Sequence, residues 1–384
     1  MKFQQRWLTA AAVIGVAVSS PGALALVSLE DGRDHLFVDA SVGMTYDSAV
    51  FANARSGGSL VYNGSLSIDF TRRAGWIGVN VSGAMNFANF SNFRSQDYAD
   101  PKLTAEFTKQ TGRTTGSLTL SAQRENRADV DVNTRDISWN YDVGLNFQYP
   151  VIERYSISGM LDYARVDYQN TQLFTNLTTY TGILFLYYIL NAQRDLFVDY
   201  RARYSSEALG TSDVDNSLSG GLSGKVFGPF NGSLQLGFEQ RSPHGGPDHG
   251  TYDDLTASGQ TTWNISRRMT LTGNLSRDFT TIATGQSVNA TSAGLTFQDS
   301  FTSKASATLS GTVGQTQFLG EAGLLGPNGR RRVDRFYNLS AAYFYTINQH
   351  LKISVSYSYY ASYSDLALAE FPRHQVSLTV SSHW

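Results

Sequence analysis

The sequence predicts an all-β fold: a transmembrane antiparallel β-barrel of about eighteen strands behind a cleaved N-terminal signal peptide. Three observations predict it. Apolar and polar residues alternate with a period of two along nearly the whole chain, the connections alternate between short and long, and the composition is poor in charge yet rich in ring-bearing residues. Charged residues make up 16% of the 384, against 35 glycines, 21 tyrosines and 22 phenylalanines. Cysteine is absent, which excludes a disulfide scaffold and a thiolate metal centre. With 41% apolar residues and a formal net charge of -2 the chain is not disordered either. A mean hydropathy of -0.24 fits both a soluble domain and a wall that is wet on one face, so the pattern has to decide.

The first 25 residues form the expected signal. Lys2 and Arg6 precede an apolar run from Trp7 to Val18, and Pro21-Gly22 leads to the small-x-small triplet Ala23-Leu24-Ala25. That run is far shorter than the roughly 20 residues of a membrane-spanning helix. Residues 26–384 are then one barrel domain, mildly acidic, with no basic footprint for nucleic acid. Its longest apolar run, Ile183 to Leu190, is also too short to span as a helix.

The first strand sets Leu36, Val38, Ala40, Val42, Met44 and Tyr46 against Asp39, Ser41, Gly43, Thr45 and Asp47, which a strand sorts onto opposite faces. The next two run through Leu60 to Thr71 and Ile77 to Phe87, separated by a tight turn from Arg72 to Gly75. Further strands fall near 101–109, 115–124, 135–149, 155–168, 177–189, 196–206, 215–226, 232–241, 254–265, 269–277, 288–298, 304–315, 334–346, 351–361 and 374–384. Alternation breaks between Ile183 and Leu190, where even-numbered residues are assigned to the lipid face. Strands of about eleven residues at roughly 3.3 Å rise, tilted near 40°, cover roughly 27 Å, the height of an apolar band.

Short turns such as Asn191 to Asp195, Ser266 to Arg268 and Ile347 to His350 take turns with long polar segments such as Ala88 to Asp100, Ser242 to Asp253 and Thr316 to Val333. Short periplasmic turns and long external loops place the protein in the outer membrane of a Gram-negative-type envelope, with both termini periplasmic. Lipid and lipopolysaccharide are then its surroundings. Aromatics gather toward strand ends, among them Tyr46, Phe70, Phe147, Tyr149, Tyr155, Tyr204, Phe297 and Tyr345, where water meets lipid. The chain stops at Trp384, an aromatic terminus similar to the signal that the barrel-assembly machinery reads.

In lipid every backbone N–H and C=O needs an internal partner, so the first and last strands must meet. Leu26 to Asp34 is too short for a plug domain. A barrel of this size leaves an aqueous interior. Its lining candidates are Asp199, Arg201, Arg203, Lys225, Glu239 and Arg241, a mixture without strong charge selection. The sharpest cluster, Asp199, Arg201 and Arg203, suits either forked hydrogen bonds to carboxylates and sugar hydroxyls or a salt-bridge ladder that stiffens the wall. Inward aromatics for sugar stacking are Phe37, Trp76, Phe336, Phe344 and Tyr360. Arg330, Arg331 and Arg332 end the longest connection, which either folds inward as a constriction or stays outside in solvent.

His244, Asp248, His249, Asp253 and Asp254 carry metal-type donors, but the Gly and Pro around them argue for a loop tip, so no metal site and no cofactor are assigned. Catalytic signatures are missing: Gly221-Leu222-Ser223-Gly224-Lys225 lacks phosphate-loop spacing, and no Gly-x-Ser-x-Gly elbow occurs. No catalytic residue is named and an enzyme is not expected.

At Arg194 to Tyr204, with Asp199-Tyr200-Arg201-Ala202-Arg203 at its centre, then at Gly237-Phe238-Glu239-Gln240-Arg241, and at Ser276-Arg277-Asp278-Phe279 with Gly285-Gln286-Ser287, the chain resembles the putative β-barrel porin 2 family. These are strand and turn patterns that name no substrate, and the resemblance runs over most of the chain after the signal. It implies an outer-membrane channel linked to exopolysaccharide export, with polysaccharide export components as partners. A general diffusion porin, and a structural or adhesive barrel that passes little, are the alternatives.

Overall fold

The alternation is realised as a closed ring. In a computed structural model of the protein the described residues are 27–29, 34–73, 75–208, 210–245, 250–320 and 331–384, so the expected signal peptide lies outside them. The strands are β1 (Val27–Leu29), β2 (Asp34–Asp47), β3 (Ser59–Arg72), β4 (Gly78–Phe90), β5 (Tyr98–Lys109), β6 (Thr115–Asp129), β7 (Thr134–Ile152), β8 (Tyr155–Tyr168), β9 (Leu177–Asn191) and β10 (Arg194–Glu207). They continue as β11 (Ser212–Phe227), β12 (Phe230–His244), β13 (Tyr252–Asn264), β14 (Met269–Thr281), β15 (Ser287–Asp299), β16 (Ala305–Phe318), β17 (Val333–Thr346), β18 (Leu351–Tyr363) and β19 (Phe371–His383). Each strand from β2 to β19 pairs antiparallel with its neighbours in sequence, and β19 pairs back onto β2 from His383↔Asp39 to Gln375↔Asp47. That makes a closed antiparallel barrel of 18 strands.

All eighteen expected strands are present, and the short β1, which the pattern did not reveal, adds to β2 at Val27↔Leu36. The ring shuts at the C-terminus: Trp384 and Val38 exchange backbone hydrogen bonds of 2.8 and 3.0 Å, and the Trp384 ring stacks on His350 at 4.1 Å. No free sheet edge faces lipid along this seam.

The expected facing holds as well. Val42, Leu236 and Phe238 are among the most exposed apolar side chains, at 67, 69 and 70%, which is the outward face that hydrocarbon covers. In the irregular stretch of β9, Leu184, Leu186 and Leu190 are exposed, so even numbers face outward there, although Ile189 is exposed too, beside the register shift that ends the pairing with β10. Trp76 is a correction. It sits in the turn between β3 and β4 with 83% of its surface exposed and does not line the interior, because the strand that would have turned it inward begins only at Gly78.

One rim carries the short turns and both ends of the ring; the other carries the long connections. On the long-connection rim the strands run further than the hydrophobic pattern indicates. β6 continues to Asp129 and β7 starts at Thr134, so the polar stretch expected as a loop is the upper part of a hairpin.

Candidate functional site

Two breaks in the wall shape the interior. β5 and β6 pair only from Lys102↔Gln123 downward to the short-turn rim, so β6 from Arg124 on leaves β5 and stays paired to β7 alone. Likewise β13 and β14 pair only up to Ala257↔Arg277, and β14 beyond that point follows β15. Side chains bridge both breaks. Arg124 Nη1 donates to Asp100 Oδ1 at 2.7 Å across the first, and Arg277 Nη2 to Asp254 Oδ2 at 2.6 Å across the second. Asp254, counted among the metal-type donors, is thus held by Arg277, while Asp248 and His249 lie outside the described residues.

The freed β6–β7 tip crosses the long-loop mouth. Ala128 and Val130 pack on Ala49, Ala52, Phe336, Tyr360 and Phe371, while Val132 reaches Ile282, Val288 and Phe318 on the far side of the ring. Polar contacts fasten it. Asn53 Nδ2 donates to the Asn133 carbonyl at 2.9 Å, Asn133 Nδ2 returns a bond to the Ala52 carbonyl at 3.1 Å, and the Arg135 guanidinium lies 4.7 Å from the Phe90 ring centre. Asp131, at the very tip, is half-buried; protein crowding around its carboxylate, with Asp129 and Asp334 nearby, pushes its pKa up to about 7. A second bridge joins the β8–β9 and β14–β15 connections, where the Thr175 N–H donates to the Ala283 carbonyl at 2.9 Å. Gly285 turns that tip with a φ of +78°, a conformation a side chain would strain, and a Cβ there would collide with Glu207.

The freed end of β14 brings Asp278 onto the charged cluster of β10 to β12. Arg201 donates to both oxygens of Asp278 (3.1 and 2.7 Å) and to Glu239 (2.6 Å). Arg203 donates to Asp215 (2.6 Å), Asp278 (3.0 Å) and the Phe279 carbonyl (2.5 Å). Arg241 forks onto Asp215 at 2.6 and 2.8 Å and reaches the Thr280 carbonyl at 2.9 Å. Asp199 sits one row nearer the short-turn rim, gripped by Gln235 Nε2 at 3.0 and 2.9 Å.

So five of the six lining candidates face inward together, but they are covered: Arg241 is 0% exposed, Asp199 2%, Glu239 3% and Arg201 7%. Lys225 stands apart, at the short-turn end of β11 beside the register shift that precedes Phe227. Asp213, Asp215 and Asp278 complete the cluster and escape a reading of the sequence. The first two were visible as a same-face pair on β11, whereas Asp278 joins only because β14 bends. Of the arginine triplet, Arg330 lies outside the described residues, Arg331 is exposed beside the Tyr252 ring, and Arg332 packs over the Phe318 ring at 4.1 Å while bonding Asp334 and the Asp131 carbonyl. Among the described residues the mouth is thus crossed by the β6–β7 tip, with Arg332 as one of its clamps.

The inward aromatics chosen from the sequence lie apart. Phe37 stacks on His383 at 5.2 Å, Phe344 lies under Lys352 at 4.4 Å, and Phe336 stacks on Tyr360 at 6.0 Å near the opposite rim. The reading missed Phe185, Tyr187 and Phe197, which meet on the inward face of β9 and β10. The signal of Phe185 and Tyr187 was hidden in the stretch where alternation breaks.

The model of the family described as "Putative beta-barrel porin 2" matches residues 40–383. The chain belongs to this family. A search among curated proteins finds no match. Among solved structures, the chain is similar to Pseudomonas aeruginosa OccK2 (OpdF) in complex with glucuronate, with a TM-score of 0.51 and 10% identity over 91% of this chain and 97% of that one. A second structure of OccK2 (OpdF) gives 0.50 and 11% over the same shares, and Acinetobacter baumannii OccAB3 gives 0.49 and 12% over 91% and 99%. At such identities the likeness is one of fold. Family and fold together make this porin-family protein an integral outer-membrane barrel and point to a channel rather than an enzyme.

Proposed function

We propose that the protein is an outer-membrane conduit through which polysaccharide leaves the cell, with the short turns and both termini on the periplasmic side. The observation that carries the channel reading is the ring itself: eighteen strands close around an inward face that is chiefly polar, with the mouth crossed by a hairpin held through side-chain contacts. A hairpin fastened in this way can be displaced, whereas a wall strand cannot leave without exposing its ladder to lipid. The polysaccharide assignment rests on the family resemblance. In the charged cluster the arginine forks are occupied by carboxylates of the chain, which supports the stiffening role and leaves no strongly basic path for an acidic polymer. That neutralised interior also suits a general diffusion porin. Lipopolysaccharide around the rim, assembly machinery reading Trp384, and periplasmic export components are the partners this reading implies.

Planar-bilayer recording tests the reading. The purified barrel with the β6–β7 tip and the long connections shortened should carry steady ionic current. Electrical silence of that trimmed barrel would overturn it and leave a structural or adhesive barrel. Glycosyltransferase and polymer-export genes beside its own would support the cargo; their absence would favour the diffusion porin.

A further inference from the structure

We propose that Phe185 and Tyr187 on β9 form a stacking floor for a neutral pyranose unit. The inference deepens the polysaccharide reading by naming the sugar chemistry that the interior takes. On most of the inner wall the half nearer the short-turn rim is hydrophilic, with Ser41, Ser67, Ser82, Thr104, Ser117 and Asn146 facing inward. At β9 that rule breaks: Phe185 and Tyr187 face inward two residues apart, their rings 5.8 Å between centres and within 26° of parallel.

Wall filling does not account for them. A ring that only fills the wall is buried, as Phe197 is at 5% exposure. It packs edge-on against Phe185 at 5.9 Å and tilted against Tyr187 at 5.4 Å. Its own place is made by Gly221, where a Cβ would sit 2.5 Å from the Phe197 ring. Phe197 is therefore the brace, and Phe185 and Tyr187 keep part of their surface open to a wet interior. Leaving apolar ring area in water is unfavourable in proportion to that area, unless a ligand covers it. Positions that break the local pattern are where function is expected.

The chemistry of the surroundings selects the ligand. A pyranose offers an apolar C–H face to a flat ring and hydroxyls at its edge, which matches an aromatic floor bordered by polar side chains. Asp199 lies directly across from Phe185 in the β9–β10 register, and Asp195 shares its face of β10. The two carboxylates repel a uronate, and Asp195, half-buried where Asp199 is covered and held by Gln235, can accept hydrogen bonds from neutral hydroxyls. The aromatics chosen from sequence do not compete, since His383, Lys352 and Phe371 already stand against Phe37, Phe344 and Tyr360.

Saturation-transfer NMR on the detergent-solubilised full chain, with maltohexaose as the probe, tests the proposal without needing current through the pore. Transfer to the ring C–H protons of maltohexaose is expected, with affinity about tenfold lower after joint Phe185→Leu and Tyr187→Leu replacement. Leucine keeps the apolar bulk of the strand while removing the ring face. The exchange variants Phe185→Tyr and Tyr187→Phe should retain binding. Trigalacturonate should bind the native barrel more weakly than maltohexaose does. Equal transfer in the native and leucine-substituted barrels, or none in the native barrel, overturns the floor. A barrel that binds maltohexaose but carries no current in bilayers even with the β6–β7 tip and long connections shortened sinks the conduit reading instead and leaves the floor standing.

Discussion

Arg241 shows what a single side chain does in this wall. It has no exposed surface and its fork is shared with Asp215, itself 0% exposed. Removing Arg241 leaves buried Asp215 to Arg203 alone and takes an ion pair from Asp213, so Arg241→Ala should destabilise the barrel by about 3 kcal/mol, measured as a fall in urea midpoint in detergent. Replacing both, Arg241→Met with Asp215→Leu, should cost less, because Arg203 keeps Asp278 and Glu239 while Asp213 keeps the Thr281 and Ser287 hydroxyls. Asp131 gives the residue-scale pH dependence. Its pKa is pushed up to about 7 when the tip is seated, chiefly by burial, and falls back to the ordinary carboxylate range when the tip is released. The seated state thus binds the extra proton between about pH 4 and 7, so seating weakens as pH rises through that window and carries its full penalty above it. Conductance should therefore increase from pH 5 to pH 7.5, and Asp131→Asn should flatten the profile at its acid-side value.

The strands were legible and the tips were not, and the reason lies in how each is specified. Lipid fixes the outward face, so wherever hydrocarbon touches the wall the alternation is written in apolar residues, as in Leu234, Leu236 and Phe238 of β12. Above that band no lipid enforces the pattern. From Glu125 to Thr134 the chain reads as a charged loop, though it is a paired hairpin whose apolar members Ala128, Val130 and Val132 find partners far away in sequence. The charged cluster was half legible for the same reason. Asp199, Arg201 and Arg203 sit on one strand, but Asp278 lies far along the chain from Arg201 and reaches it only through the bend in β14. At this scale the tip is the element to test. Replacing residues 130–133 with a two-residue Asn-Gly turn should raise single-channel conductance several-fold and leave the wall intact. Val132→Cys with Ile282→Cys should join the packed pair and lower conductance until a reductant is added.

For the molecule as a whole, the ring has one joint that no neighbour in sequence makes, between β2 and β19. Its register runs through Val380↔Val42 and Leu378↔Met44 and ends at the Trp384–Val38 exchange. Deleting Trp384 removes that last exchange and the ring stacked on His350, and should slow recovery of the compact, heat-modifiable band on gel electrophoresis without altering the unfolded chain. The joint also dictates a timetable. Seventeen of the eighteen pairings unite stretches that are synthesised one after the other, whereas this one joins Asp39 to His383, 344 residues later. Contacts so distant along the chain form slowly, and until this one forms, both terminal strands offer raw backbone to any passing sheet. The most vulnerable moment of folding therefore comes just before β2 and β19 find each other.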